Sequence, residues 1–216
     1  MPEAKPGKPR AVIEVYFDCS SPWTYLGFHG VQQLAERAGA DIEWNPILVG
    51  GVFNAVNPSV YEGRRAPVKA KARYHLKDLR DWADLAGLVI NMPPSVFPVN
   101  SVRVMRACHV LKPHGKLPAF ARIAFEAYWR DDRDISQLET VKQLCIQCGI
   151  DADWLMGEIA KPETKDALKE TTDELIARGG FGSPTFFWNG EMFFGNDRLG
   201  LIEKKLDAAG LHQNIS

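Results

Sequence analysis

Cysteine is scarce in this chain, with four in 216 residues. That count does not suggest a fold built on disulfides, and a reducing compartment leaves such residues as thiols. No sign of charge dominates: 26 Lys and Arg oppose 27 Asp and Glu, for a net charge of -1. A nucleic acid or an anionic membrane therefore has no electrostatic reason to be the partner, and a small molecule is expected instead. Nowhere does an apolar run approach the ~18 residues that a membrane helix needs. The opening Met1-Pro-Glu-Ala-Lys-Pro-Gly-Lys-Pro-Arg10 lacks the apolar stretch of a signal peptide and reads as a disordered lead-in over 1–10. Asn214-Ile-Ser216 is not a peroxisomal Ser-Lys-Leu address, so the expected compartment is the cytoplasm. His29, His75, His109, His114 and His212 have no metal-ligand spacing, and no metal is expected.

Apolar residues make up 45% of the chain, enough to bury one large domain or one domain carrying an insertion. Strand signals at 12–18 and 42–49 flank a helix predicted over 22–38 and closed by Gly39. Near the other end, Pro184-Thr-Phe-Phe-Trp188 and Glu191-Met-Phe-Phe194 are short aromatic strands joined by Asn189-Gly190, a strong hairpin signal. A helix follows over about 196–209. Strand-helix-strand, hairpin, then helix is the α/β layout of a thioredoxin-like domain, assigned here to 1–50 and 176–216. Residues 51–175 are then a large all-helical insertion. Val68, Ala72, Leu76, Leu79, Ala83 and Ala86 predict a long amphipathic helix over 66–86. Further helices are predicted at 101–111, 117–129, 137–148, 151–160 and 163–178, punctuated by prolines.

The first strand runs into Asp18-Cys-Ser-Ser21-Pro22-Trp23-Thr24, where a redox thioredoxin would carry two cysteines at positions 21 and 24. Serine and threonine stand there instead. Pro22 suits the first turn of a helix and Ser21 the cap before it, so free N–H groups and the positive helix end would surround the Ser21 hydroxyl. Such a place favours an anion, including the thiolate of a bound ligand; simple helix capping is the alternative. Ser183-Pro184 enters a strand directly, which a cis bond or an edge position explains. In this layout the turn faces the first helix, so the Ser183 backbone could pair with a peptide-like ligand. Asn196 and Asp197 would cap the last helix or hold the carboxylate and ammonium of a ligand, with Arg198 paired to Asp197 or to solvent. Both charges at one end of a short peptide and a thiol further along describe glutathione.

Three separated motifs, Phe17-Asp18-Cys-Ser-Ser21-Pro22-Trp23-Thr24-Tyr25-Leu26, Phe181-Gly-Ser-Pro184 and Gly195-Asn-Asp-Arg-Leu199, resemble 2-hydroxychromene-2-carboxylate isomerases and kappa-class glutathione transferases, relatives of the DsbA oxidoreductases. Lys169-Glu-Thr-Thr172 is similar to the kappa-class side, and Tyr74 with Trp82 to the isomerase side. The resemblance implies that Ser21 activates the glutathione sulfur, that Pro22 and Trp23 lie beside it, that Ser183 before Pro184 pairs with the cysteinyl backbone, and that Asn196 and Asp197 bind the glutamyl end. It implies isomerisation of a small aromatic carboxylate by ring-opening, with glutathione conjugation as the close rival, and a homodimer. Asn54, Asn57, Tyr74, Trp82, Phe97, Asn100 and Ser101 are candidate walls of the substrate cleft, Trp82 and Phe97 being equally plausible as core. One of Arg64, Arg65 or Lys69 is placed to meet a substrate carboxylate. A different class of reading is a dithiol oxidoreductase using Cys145 and Cys148, or a binding module without catalysis. Cys145-Ile-Gln-Cys148 is the chain's one Cys-x-x-Cys, but it closes a predicted helix before Gly149 and reads as ordinary helix residues. Cys19, at a strand end, is expected to be partly buried.

Overall fold

The computed structural model describes residues 10–211; the lead-in before Arg10, His212 and the terminal tripeptide lie outside them. β1 (Val12–Phe17) leads into α1 (Pro22–Ala38), and β2 (Asp41–Pro46) returns parallel to β1. α1 stops at Gly39, whose φ of 63° lets its N–H turn back to the last helical carbonyls. β3 (Thr185–Trp188) runs antiparallel to β1, and β4 (Glu191–Phe194) antiparallel to β3, giving the order β2-β1-β3-β4. Asn189 and Gly190 have φ of 50° and 78°, the left-handed pair that a two-residue hairpin demands. The chain thus adopts a DsbA-like thioredoxin fold, with a mixed four-stranded sheet and helices inserted between its halves.

The helices between the halves are α2 (Val49–Val56), α3 (Ser59–Arg65), α4 (Lys69–Ala86), α5 (Val102–Leu111), α6 (Leu117–Phe125), α7 (Leu138–Gln147), α8 (Ala152–Ala160) and α9 (Pro162–Ala177). A π turn over Glu126–Arg130 prolongs α6. α2 and α3 lie where the sequence shows no helical period, because Gly50, Gly51, Pro58 and Gly63 break the apolar pattern. β2 ends at Pro46, three residues before the expected 49, and the chain turns at once into α2. The stripe on α4 is only half used: Leu79 and Ala83 are buried, whereas Val68 and Leu76 are exposed. Its carboxyl-terminal half alone packs, chiefly against α1. The final helix, α10 (Leu199–Ala208), is preceded by a 3-10 turn over Asn196–Arg198. Neither Asn196 nor Asp197 caps it as expected; the cap position falls on Arg198, with no side-chain bond.

One apolar cluster joins the sheet to the inserted helices. At its centre Phe17 of β1 and Tyr25 and Phe28 of α1 surround Phe125 of α6, with Tyr25 stacked on Phe125 at 5.1 Å and Phe28 against it at 5.2 Å, while Trp44 of β2 packs on Phe17 and Phe28. On the opposite face of the sheet, Tyr16, Ile47 and Phe187 pack beneath Leu175 of α9. Arg178 lies over the Phe187 ring at 3.7 Å and pairs with Glu14 at 2.5 Å. A core shared in this way predicts one cooperative unfolding transition for both parts. Phe125→Ala should lower stability by about 3–5 kcal/mol through the cavity it leaves. Urea unfolding followed by tryptophan fluorescence and far-ultraviolet dichroism checks both; two separated transitions would show that the parts unfold independently.

Candidate active site

Ser21 occupies the cap of α1 with an extended backbone, φ -111° and ψ 127°, and its Oγ accepts the Thr24 N–H at 3.2 Å. Pro22 follows in the first turn, where a missing N–H leaves no partner unsatisfied. That turn contains no acidic residue, so nothing on α1 neutralises its positive end. The Ser21 hydroxyl donates to the Ser183 carbonyl at 3.5 Å, the outer limit of a hydrogen bond. Trp23 is partly exposed beside it.

The Ser183-Pro184 peptide is cis, and Ser183 is fastened to the junction by its side chain. Its Oγ accepts the Asp18 N–H at 3.2 Å and is hydrogen-bonded to Thr24 Oγ1 at 2.8 Å, where either hydroxyl can donate. Pro184 packs against α1 at Gly27, where a Cβ would come within 2.8 Å of the proline ring. The Pro184 carbonyl accepts the Gly195 N–H at 3.0 Å, which brings in the next segment. Gly195 has φ of 102° and carries the Asp197 carboxylate directly over it, where a Cβ would meet Oδ1 at 2.6 Å. Asp197 pairs with Arg198 at 3.1 Å, and Asn196 is buried. Ser21, Ser183, Pro184 and Asp197 therefore form one connected group.

Beneath them sits Asp18, a buried carboxyl that the sequence gives only as the end of a strand. It accepts the Ser20 N–H and the Val49 N–H, each at 2.9 Å, and bonds the Ser101 side chain. Burial raises its pKa above the ordinary carboxylate value, against the lowering pull of those donors. Trp129, carried on the π turn, donates to the Cys19 carbonyl at 3.0 Å, and Met105 of α5 accepts the Cys19 N–H at 3.4 Å. No sequence signal marks Trp129 or Met105 for this task. Cys19 is wholly buried, beyond the partial burial expected, and burial with the neighbouring Cys108 thiol pushes its pKa well up.

The remaining candidates scatter. Asn57 donates to the Phe181 carbonyl at 3.2 Å, at the start of the cis turn, and Phe97 lies beneath the Arg64 guanidinium. Phe97 is 37% exposed and Trp82 half-buried, so neither is core. Ser101 is buried in the floor through its bond to Asp18, not in an open wall. Asn54 accepts from Tyr61 at 2.9 Å, Asn100 accepts the Val102 N–H at 3.1 Å, and Tyr74 stands 61% exposed on α4. Cys145 and Cys148 lie at the end of α7 as free thiols, and burial lifts Cys145 to about 11.

Because Asp18 binds its proton more tightly folded than unfolded, its contribution to stability is complete below the unfolded pKa and declines as pH rises through the raised one. Urea midpoints of the parent and Asp18→Asn, compared between pH 4 and 7, should show the parent losing stability relative to the variant. A pH-independent difference would contradict the burial effect.

The family described as DSBA-like thioredoxin domain matches residues 12–207. A 2-hydroxychromene-2-carboxylate isomerase of Pseudomonas putida is 30% identical over 198 residues, covering 90% of this chain and 94% of that one. Glutathione S-transferase kappa 1 of Rattus norvegicus is 25% identical over 207 residues, covering 88% of each. A solved 2-hydroxychromene-2-carboxylate isomerase superposes with a TM-score of 0.78 at 26% identity, over 92% of this chain and 96% of its own. With the sheet order, the cis turn and the strand-helix junction in agreement, the chain belongs to the DSBA-like thioredoxin domain family.

Proposed function

We propose that this protein is a glutathione-dependent enzyme that isomerises 2-hydroxychromene-2-carboxylate or a closely related aromatic acid, with Ser21 as the residue that activates the thiol. The observation that carries the reading is the Ser21 hydroxyl at the start of α1, whose first turn carries no acid, facing the cis Ser183-Pro184 turn. The similarity to named isomerases over nine-tenths of the chain supports the choice of substrate.

The residues present suit a thiol ligand. Ser21 Oγ already accepts the Thr24 N–H, and its own proton is held by a contact of 3.5 Å, long enough to be redirected to a sulfur. A hydroxyl proton and a positive helix end both favour thiolate over thiol. Each unit by which a thiol near pKa ~8.5 is lowered corresponds to ~1.4 kcal/mol in favour of the charged form. Ser183 would pair with the cysteinyl backbone, Asn196 and Asp197 would hold the glutamyl end, and Pro22, Trp23 and Pro184 would flank the sulfur. Glutathione, when bound, supplies a nucleophile that adds to the substrate and leaves again, so ring-opening and bond rotation need no redox change. The chain's part is to hold that thiol, stabilise its charge and align the acid beside it.

The kappa-class relative supports a second reading at the same site, transfer of glutathione to an electrophile. The dithiol reading has little physical support: Cys145 is buried with its thiol pushed up to about 11, unsuited to nucleophilic exchange.

Ring-opening of 2-hydroxychromene-2-carboxylate, measured with and without glutathione beside conjugation of an aryl halide, tests the proposal. Turnover should require glutathione. Ser21→Ala should lower kcat/KM by roughly ten- to a hundredfold, the loss of one hydrogen bond to a charged group of ~1.5–3 kcal/mol. Cys145→Ser with Cys148→Ser should stay within about twofold of the parent. Thiol-independent turnover, or turnover in the conjugation assay alone, would overturn the isomerase reading.

A further inference from the structure

Arg64 lies in the last turn of α3, a helix with no buried residue, and its guanidinium is held by rings where a carboxylate would be usual. Its Cζ lies 5.8 Å from the centroid of Phe53 on α2 and 5.6 Å from that of Phe97, in the segment between α4 and α5. Arg122, Arg130 and Arg178 each meet an acidic side chain; among the described residues, none lies within ion-pair distance of Arg64. An exposed cation over an aromatic face gains only about 0.5–1 kcal/mol. That is enough to set the direction of the side chain while leaving its N–H fork unfilled. Arginine's planar fork matches a carboxylate with two parallel hydrogen bonds.

The two rings also connect this cation to the cis turn. A Cβ on Gly182 would lie 3.7 Å from Phe53 Cε1, so the open side of Gly182, just before Ser183, faces the Phe53 ring. Asn57, at the end of the same helix, donates to the Phe181 carbonyl. The Phe53 ring thus stands between Arg64 and Gly182, the residue before the Ser183 whose carbonyl receives the Ser21 hydroxyl.

We propose that Arg64, Phe53 and Phe97 form an acid-binding subsite: a planar aromatic carboxylate lies against the rings with its carboxylate on the Arg64 fork. The subsite deepens the reading of Ser21 as a thiol site and rests on it for its catalytic meaning. It makes Arg64 a specificity-determining residue, one that selects flat acids over neutral aromatics of the same shape.

Calorimetric binding of 2-naphthoate and of neutral 2-naphthamide, with and without glutathione, tests it. The parent should prefer the acid by about tenfold or more, the scale of one charge-assisted pair. Arg64→Ala should abolish that preference, and Arg64→Lys should restore only part of it. Lys71→Ala removes an equal charge from the exposed face of α4 and should leave the preference intact. An Arg64→Ala protein that still prefers the acid would overturn the proposal, as would equal losses in Arg64→Ala and Lys71→Ala, which would mean bulk charge alone. Failure of the parent to bind glutathione, with an acid preference that still depends on Arg64, would sustain the subsite and defeat the thiol reading instead.

Discussion

The Asp18 carboxyl is taken out of water at the point where three separate parts of the chain converge, and the arrangement around it follows from the need to satisfy it. Its oxygens are met by the Ser20 N–H in the β1-α1 turn, the Val49 N–H at the start of α2, and the Ser101 side chain ahead of α5. An unpaired carboxyl at this depth would cost several kcal/mol, so each of these donors is held where the acid requires it. The Asp18 N–H bonds Ser183 Oγ, which carries the same constraint into the cis turn. From there Thr24, Ser21 and, through Pro184 and Gly195, Asp197 are placed in sequence. The site is thus a surface expression of one buried acid and its partners.

Serine at position 21 gives that frame its chemical character. A cysteine there would supply its own thiolate and, with a second at position 24, disulfide exchange. A hydroxyl can do neither, but it can donate to a sulfur brought by a ligand, in the field of a helix whose first turn carries no acid. The four cysteines of the chain are not alternatives: Cys19 and Cys108 are wholly buried, and Cys145 and Cys148 close a helix. The proposed chemistry is accordingly that of a borrowed thiol acting on an acid presented by the inserted helices.

Much of this was legible before the structure. The strand-helix-strand start, the Asn189-Gly190 hairpin and the Ser21 cap each depend on local rules that few neighbours can override: a proline in a first helical turn, a glycine at positive φ, alternating apolar strands. Residues 49–65 were not legible, because glycines and a proline broke the apolar period while the segment still found helical geometry. The capping roles expected of Asn196 and Asp197 failed for a similar reason. Gly195 turns the chain so that Asp197 folds back over it, and an intervening 3-10 turn moves the cap to Arg198. Trp129 and Asp18 could not be assigned from spacing, since their partners lie 110 residues away in one case and 31 in another. The Arg64 subsite is of the same kind: its rings come from segments that only the packing of α2 and the loop before α5 brings together.

The central claim, that Ser21 stabilises a ligand thiolate, is met most directly by titrating the thiol of bound glutathione through its ultraviolet thiolate absorbance in the parent and in Ser21→Ala. The account predicts a midpoint well below the ~8.5 of an ordinary thiol in the parent, and a rise of about one unit or more in the variant. A bound thiol that titrates like the free one, or identically in both proteins, would contradict it.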